Sequence, residues 1–203
     1  YTSKMVDERV EVREGDILII HTGYHHFGWD SPNADEVRYM VKHPGPDREF
    51  AEWAKAKKLR WIGVDCGSAD HPMNTIIRDW MPRQARQADK VFKKKYGMPL
   101  ADFFDDSKYQ LMHLEMFPYG IIHAECIGGE IDLLLNRRVT IGMFPWRFVD
   151  GESCISRCVA MVEDAEYESL MAKKASMPKT KFGDAYQPKH VESLNKLSME
   201  NMA

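Results

Sequence analysis

The chain has 203 residues, 44% of them hydrophobic, and a formal net charge of -3. That size and apolar content suit one globular domain, and the lack of a basic excess argues against a nucleic-acid-binding face. No apolar run approaches the roughly 18 residues of a membrane-spanning helix, so neither nucleic acid nor membrane is an expected partner.

Residues 1–14 are charged and read as extended. Gly15-Asp16 is a turn signal, and Ile17–Ile20 is an unbroken apolar run, the pattern of a strand buried on both faces. It ends at His21-Thr22-Gly23-Tyr24-His25-His26-Phe27-Gly28-Trp29, dense in imidazole and aromatic rings. Loops at strand ends are held by the sheet and collect functional residues. Tyr24, Phe27 and Trp29 are therefore candidates for an aromatic substrate wall, together with Trp146 further on; a packed aromatic loop is the alternative. Residues 30–46 read as a long polar loop with one helical turn near Asp35–Met40. Asp47 then starts a helix with Phe50, Trp53 and Ala54 at helical spacing, which leads into a strand at Leu59–Val64. Strand, helix and strand make an α/β unit. The loop Asp65–Asn74 carries Asp65, Ser68, Asp70 and His71. These either orient ligands from behind or form a turn that caps the next helix.

Residues 83–96 predict a basic amphipathic helix stopped by Gly97-Met98-Pro99. Lys108–Phe117 predicts a second helix, bearing His113. His113, His123 and Glu125 lie within thirteen residues. Residues two apart on a strand share a face, so His123 and Glu125 project together. Two imidazoles and a carboxylate suit Zn, Mn or Fe. The blander alternative is a surface histidine, a core histidine and a rim carboxylate. Glu130–Leu135 predicts a short helical segment; Arg138–Phe144 and Cys154–Val162 predict two strands around Asp150-Gly151. The four cysteines form no CxxC, which fits a reducing cytoplasm. Cys154 and Cys158 are expected on one strand face as small buried residues. Residues 164–203 are too poor in bulky aliphatics to build a core. They read as a tail that wraps a neighbouring subunit or is partly disordered.

His113 followed twelve residues later by Glu125, across the turn Phe117-Pro118-Tyr119-Gly120-Ile121, resembles the C-terminal half of the metal-dependent cyclase family, which includes bacterial kynurenine formamidases and isatin hydrolases. Three other stretches resemble family motifs in the same order. They are Gly15-Asp16 through Thr22-Gly23-Tyr24, Ile62-Gly63-Val64-Asp65 through Ser68-Ala69-Asp70, and the hairpin Phe144-Pro145-Trp146-Arg147, Asp150-Gly151 and Arg157–Ala160. The resemblance implies a mixed α/β fold, with a β-rich, barrel-like central sheet flanked by helices in a swivelling β/β/α arrangement. Residues 1–163 would form the C-terminal portion of that domain, its N-terminal part lying outside this chain, and 164–203 the tail. It implies a hydrolase that cleaves a C–N amide-type bond, in an aryl formamide or a cyclic imide, by metal-activated water. His113 and Glu125 carry over as metal-site residues, and His123 is added on its spacing. Asp65, Ser68 and His71 stand behind them as orienting groups.

The family's main metal motif, HxGTHxDxPxH, does not occur in this sequence. A second polypeptide or a missing N-terminal segment is therefore expected to supply it within an oligomer. This chain alone is expected to expose apolar surface. Two other readings stay open: a noncatalytic assembly or binding subunit, and a metal-dependent lactone hydrolase. No GxSxG elbow, P-loop or GxGxxG follows a strand, so serine-hydrolase, NTPase and dinucleotide readings lack support.

Overall fold

The apolar runs Ile17–Ile20, Trp61–Val64 and Ile122–Ala124 form strands β1, β2 and β3 of one parallel sheet, with β2 in the middle. The computed structural model describes residues 1–104 and 109–177. Ile17 pairs with Trp61 and Ile20 with Val64; Trp61 pairs in turn with Ile122. All four residues of β2 are buried. β1 is an edge strand and is only partly buried, so the expectation of burial on both faces is corrected. Its residues line an open cavity of about 2070 Å³.

The crossover from β1 to β2 holds α2 (Glu36–Val41) and α3 (Arg48–Ala56). Asp47 caps α3 by accepting from the Phe50 N–H at 3.0 Å, as an Asp before a helix should. The apolar face of α3 buries Phe50, Ala51 and Ala54 in one cluster with Ile62, Val64, Met112 and Met116. Each of the larger side chains among these contributes about 1.5–3 kcal/mol. The residues before β1 are not simply extended. Ser3–Asp7 form α1, whose start is capped by Thr2 Oγ1 accepting from the Met5 N–H at 3.3 Å.

The crossover from β2 to β3 carries α4 (Ile77–Trp80), α5 (Pro82–Tyr96), α6 (Leu100–Phe103) and α7 (Leu111–Met116). Pro82 begins α5 and Gly97 ends it at φ 73°, the left-handed turn a glycine accepts most readily. The expected helix from Lys108 starts at Leu111; Lys108 itself lies outside the described residues. A second cluster of Met73, Phe92, Leu100 and Phe104 fastens α5 and α6 to the loop after β2.

Close approach of two loops depends on Gly45. A Cβ there would lie 2.3 Å from the His71 backbone N and Cα. Neither backbone can yield cheaply, so Gly45→Ala is expected to cost about 1–3 kcal/mol, read as a lowered denaturant midpoint.

Thr140–Pro145 (β4) and Ser156–Met161 (β5) form a separate antiparallel hairpin, with Thr140 opposite Met161. Cys154 lies before β5 and is exposed, so the expectation that Cys154 and Cys158 share a buried strand face is corrected. Among the described residues the strands make two small open sheets and no closed barrel. Closure requires an unbroken ring of hydrogen-bonded strands, and the hairpin strands pair only with each other. The fold is mixed α/β, as expected; the barrel-like sheet is not formed here. The first residues of the polar tail form α8 (Asp164–Ala175), which buries Leu170 and pairs Lys174 with Glu130 at 2.5 Å. The remainder, residues 178–203, and its expected wrapping role lie outside the described residues.

Candidate metal centre

A parallel sheet places the C-terminal ends of its strands on one side, where ligand crevices form. Here β1 runs into His21–His26, β2 into Asp65–His71, and β3 carries His123 just ahead of Glu125. The crossover returns through α7, which brings His113 to the same place.

The potential ligand atoms of His113, His123 and Glu125 all lie within 4.8 Å of one another. The His113 and His123 rings meet edge to face with centroids 5.0 Å apart. Phe117 packs against both rings, at 5.0 and 4.9 Å. His113 Nδ1 donates to Asp70 Oδ2 at 2.6 Å, so in the neutral ring the lone pair sits on Nε2, 3.7 Å from Glu125 Oε1. A lone pair facing a carboxylate at that distance is unfavourable unless a cation or a proton lies between them. Both ring nitrogens of His123 are buried and have no hydrogen-bond partner among the described residues. A neutral imidazole with two unsatisfied buried nitrogens costs at least about 1–3 kcal/mol. Burial, with the neighbouring His113 adding to it, pushes His123 down to about 3, so the ring is neutral and available as a ligand. A divalent cation would satisfy all three groups at once, and the donor set of two imidazoles and a carboxylate suits one.

The loop after β2 holds these groups in place. Asp70 is fully buried; its Oδ1 accepts from the Met112 N–H at 2.7 Å and its Oδ2 from His113. Gln110, in a left-handed conformation, gives α7 no side-chain cap, so Asp70 satisfies that helix start from across the fold. The Asp70 hydrogen bond, opposed by burial, raises His113 above the usual histidine range. Glu125 Oε1 accepts from the Ala69 N–H at 2.7 Å and from Ser68 Oγ at 3.2 Å. Ser68 and Asp65 thus touch the histidine-rich loops and Glu125, while capping of the next turn falls to His71, whose Nδ1 accepts from the Met73 N–H at 3.1 Å. Asp70 is the residue that spacing alone undervalued, because its partner lies 43 positions away.

His71 points elsewhere. Its ring packs against Phe104 and Phe92, with centroids 5.0 and 5.6 Å away, and burial pushes it down to about 3. The unfolded chain takes up a proton near pH 6.5 that the folded chain refuses until about 3. The stability from His71 is therefore complete above about pH 6.5 and falls as pH drops toward 3, by up to about 1.4 kcal/mol per pH unit. His71→Phe keeps the ring contacts but removes the acceptor for the Met73 N–H, so it is expected to lower stability at all pH values and to flatten that slope by one proton, measured as denaturant stability between pH 4 and 7 (roughly the titration window).

The aromatic candidates do not form one wall. Tyr24 packs on the main core and meets Phe27 edge to face at 5.6 Å. The Arg38 guanidinium covers Phe27 at 4.1 Å. Trp29 is 71% exposed at the end of that loop. Trp146 is 65% exposed beside Phe148, following β4 in the separate hairpin.

No helix among the described residues is long and apolar enough to cross a membrane. No curated protein and no solved structure matches the chain. One family model does match, over residues 2–71, a stretch with β1, β2 and the loop holding Asp65, Ser68 and Asp70 but not His113, His123 or Glu125. Across that third of its length the chain is similar to the Cyclase family.

Proposed function

We propose that this chain contributes His113, His123 and Glu125 to the divalent-metal site of a hydrolase that cleaves a C–N amide-type bond, in an aryl formamide or a cyclic imide. The observation that carries the reading is His123, a half-buried imidazole whose two buried nitrogens have no partner among the described residues, beside His113 and Glu125. The cation, Zn, Mn or Fe by donor type, would polarise the substrate carbonyl and lower the pKa of water toward 7.

The chain's own residues do the rest. Asp70 fixes the His113 ring so that Nε2 faces the site. Ser68 and the Ala69 N–H hold the Glu125 carboxylate. Phe117 covers both imidazoles and limits water on that side. Tyr24, Phe27, Trp29 and Trp146 are offered as aromatic substrate contacts, with Trp29 and Trp146 needing a partner surface to bring them over the site. A second polypeptide or segment bearing HxGTHxDxPxH completes the metal site within an oligomer. The test is hydrolysis of an aryl formamide, a cyclic imide and a lactone by the full protein with its metal. Turnover of the first two supports the reading; preference for the lactone replaces it with lactone hydrolysis; no turnover of any favours the noncatalytic subunit.

A further inference from the structure

A second group of histidines lies at the end of β1, away from the three residues above. His21, His25 and His26 all turn their Nε2 atoms onto one carboxylate, that of Asp132 in the 3-10 turn Ile131–Leu134. His21 Nε2 is 2.5 Å from Oδ1, and His25 and His26 Nε2 are 3.2 and 3.3 Å from Oδ2. The other nitrogen of His25, Nδ1, is 2.8 Å from Oδ2 of Asp65, which is fully buried. Asp65 is anchored by the Thr22 and Gly23 N–H groups, both donating at 2.7 Å.

We propose that His21, His25 and Asp132, whose potential ligand atoms all lie within 4.8 Å of one another, form a second site for a divalent cation of the zinc class, with His26 beside it at the open side. Four features carry it. The donor set is two imidazoles and one carboxylate, a nitrogen-rich set that suits zinc and its neighbours and not magnesium or calcium. The spacing is right: metal–ligand bonds of about 2.0–2.1 Å in a tetrahedron put ligand atoms about 3.3 Å apart. The His25–Asp132 contact at 3.2 Å already has that separation, and the His21 contact at 2.5 Å has only to open by a side-chain rotation. The His25 tautomer is set, because Nδ1–H donates to Asp65 and the Nε2 lone pair then faces inward, the carboxylate–histidine–metal arrangement. His25 and His21 are well shielded, at 11% and 16% exposed, while His26 at 46% leaves an entry path.

Without a cation the same atoms are awkwardly matched. Three Nε2–H donors would share two oxygens, and His25 would need both its protons to serve Asp65 and Asp132 together. The hydrogen bonds do favour such a proton: burial opposes the charge on His25, and the bonds to Asp65 and Asp132 outweigh it. A metal-free, hydrogen-bonded clasp is thus the competing description. Neither the resemblance nor the family match assigns this group, and Asp132 lies outside the matched residues.

The test uses the full protein stripped of metal, then given Zn²⁺ alone or Co²⁺ alone. Bound Zn²⁺ is counted by equilibrium dialysis, and Co²⁺ reports tetrahedral geometry by its intense visible absorption. In a His113→Ala/His123→Ala background, one equivalent is expected to remain. Adding His25→Ala or Asp132→Asn is expected to weaken it by about 100-fold or more, beyond what loss of a supporting group causes. A folded background variant that binds no Zn²⁺, or one whose binding is unmoved by Asp132→Asn, overturns the site in favour of the clasp. If that background does not fold, the same substitutions in the native chain must remove one of two equivalents; an unchanged count overturns it. If His25→Ala and Asp132→Asn do not fold, His21→Gln must lower Zn²⁺ affinity and alter the Co²⁺ spectrum; no change in either overturns it. Because His113 and His123 are absent from the first background, failure of the proposed hydrolase leaves this result independently readable.

Discussion

Glu125→Ala is expected to lower turnover of an aryl formamide by roughly 10³-fold or more and to release the cation held with His113 and His123. The size follows from what is removed. Each factor of ten is about 1.4 kcal/mol, and carbonyl polarisation by a cation is worth several kcal/mol. The substitution removes the only carboxylate of the three potential ligands and also the acceptor for Ser68 Oγ and the Ala69 N–H. His113→Ala is expected to act alike, whereas Asp70→Asn should keep the fold and weaken metal affinity by about 10–100-fold. Metal per chain by elemental analysis and initial rates on the same preparations decide the matter. A Glu125→Ala protein with native metal content and native rate would remove these residues from the chemistry.

Asp65→Asn carries the largest expected loss of stability, about 3–5 kcal/mol. Four donors converge on this one buried carboxylate: the Thr22 N–H and hydroxyl at 2.7 and 2.5 Å, the Gly23 N–H at 2.7 Å and His25 Nδ1 at 2.8 Å. Burial alone would raise the Asp65 carboxyl, yet the bonds from His25, Thr22 and Gly23 outweigh it and hold it below its ordinary value. An asparagine offers one oxygen and turns an NH₂ toward the remaining donors, so buried N–H groups face N–H groups. The cost falls on the junction between β1 and β2, because Asp65 ties the end of one strand to the loop of the other. A fall in Tm of roughly 10 °C is expected for a domain of this size. A variant melting within a degree or two of the native protein would mean that the pocket relaxes around a neutral side chain.

The strands and the helix α3 were legible locally. Ile17–Ile20 and the stretch to Val64 are apolar runs bounded by turn residues, and Asp47 stands where a cap belongs. His113, His123 and Glu125 lie close in sequence and their potential ligand atoms lie within 4.8 Å of one another, although Glu125 follows β3 and does not share a strand face with His123. Periodicity reports that a face is buried but not what covers it. For that reason β1 reads as buried on both sides although it is an edge, and Cys154 reads as a strand residue although it lies before β5.

Chain order and side-chain chemistry by themselves determined the alternation of strands and helices, the hairpin near the end, and one group of potential ligands. Only the tertiary structure decided that His113 leans on Asp70, that His71 turns into the aromatic cluster, and that Asp132 meets His21 from 111 positions away. The reason is physical. A helix cap or a strand face depends on neighbours a few residues off, whereas a hydrogen bond between distant loops exists only once the parallel sheet has brought its strand ends to one side.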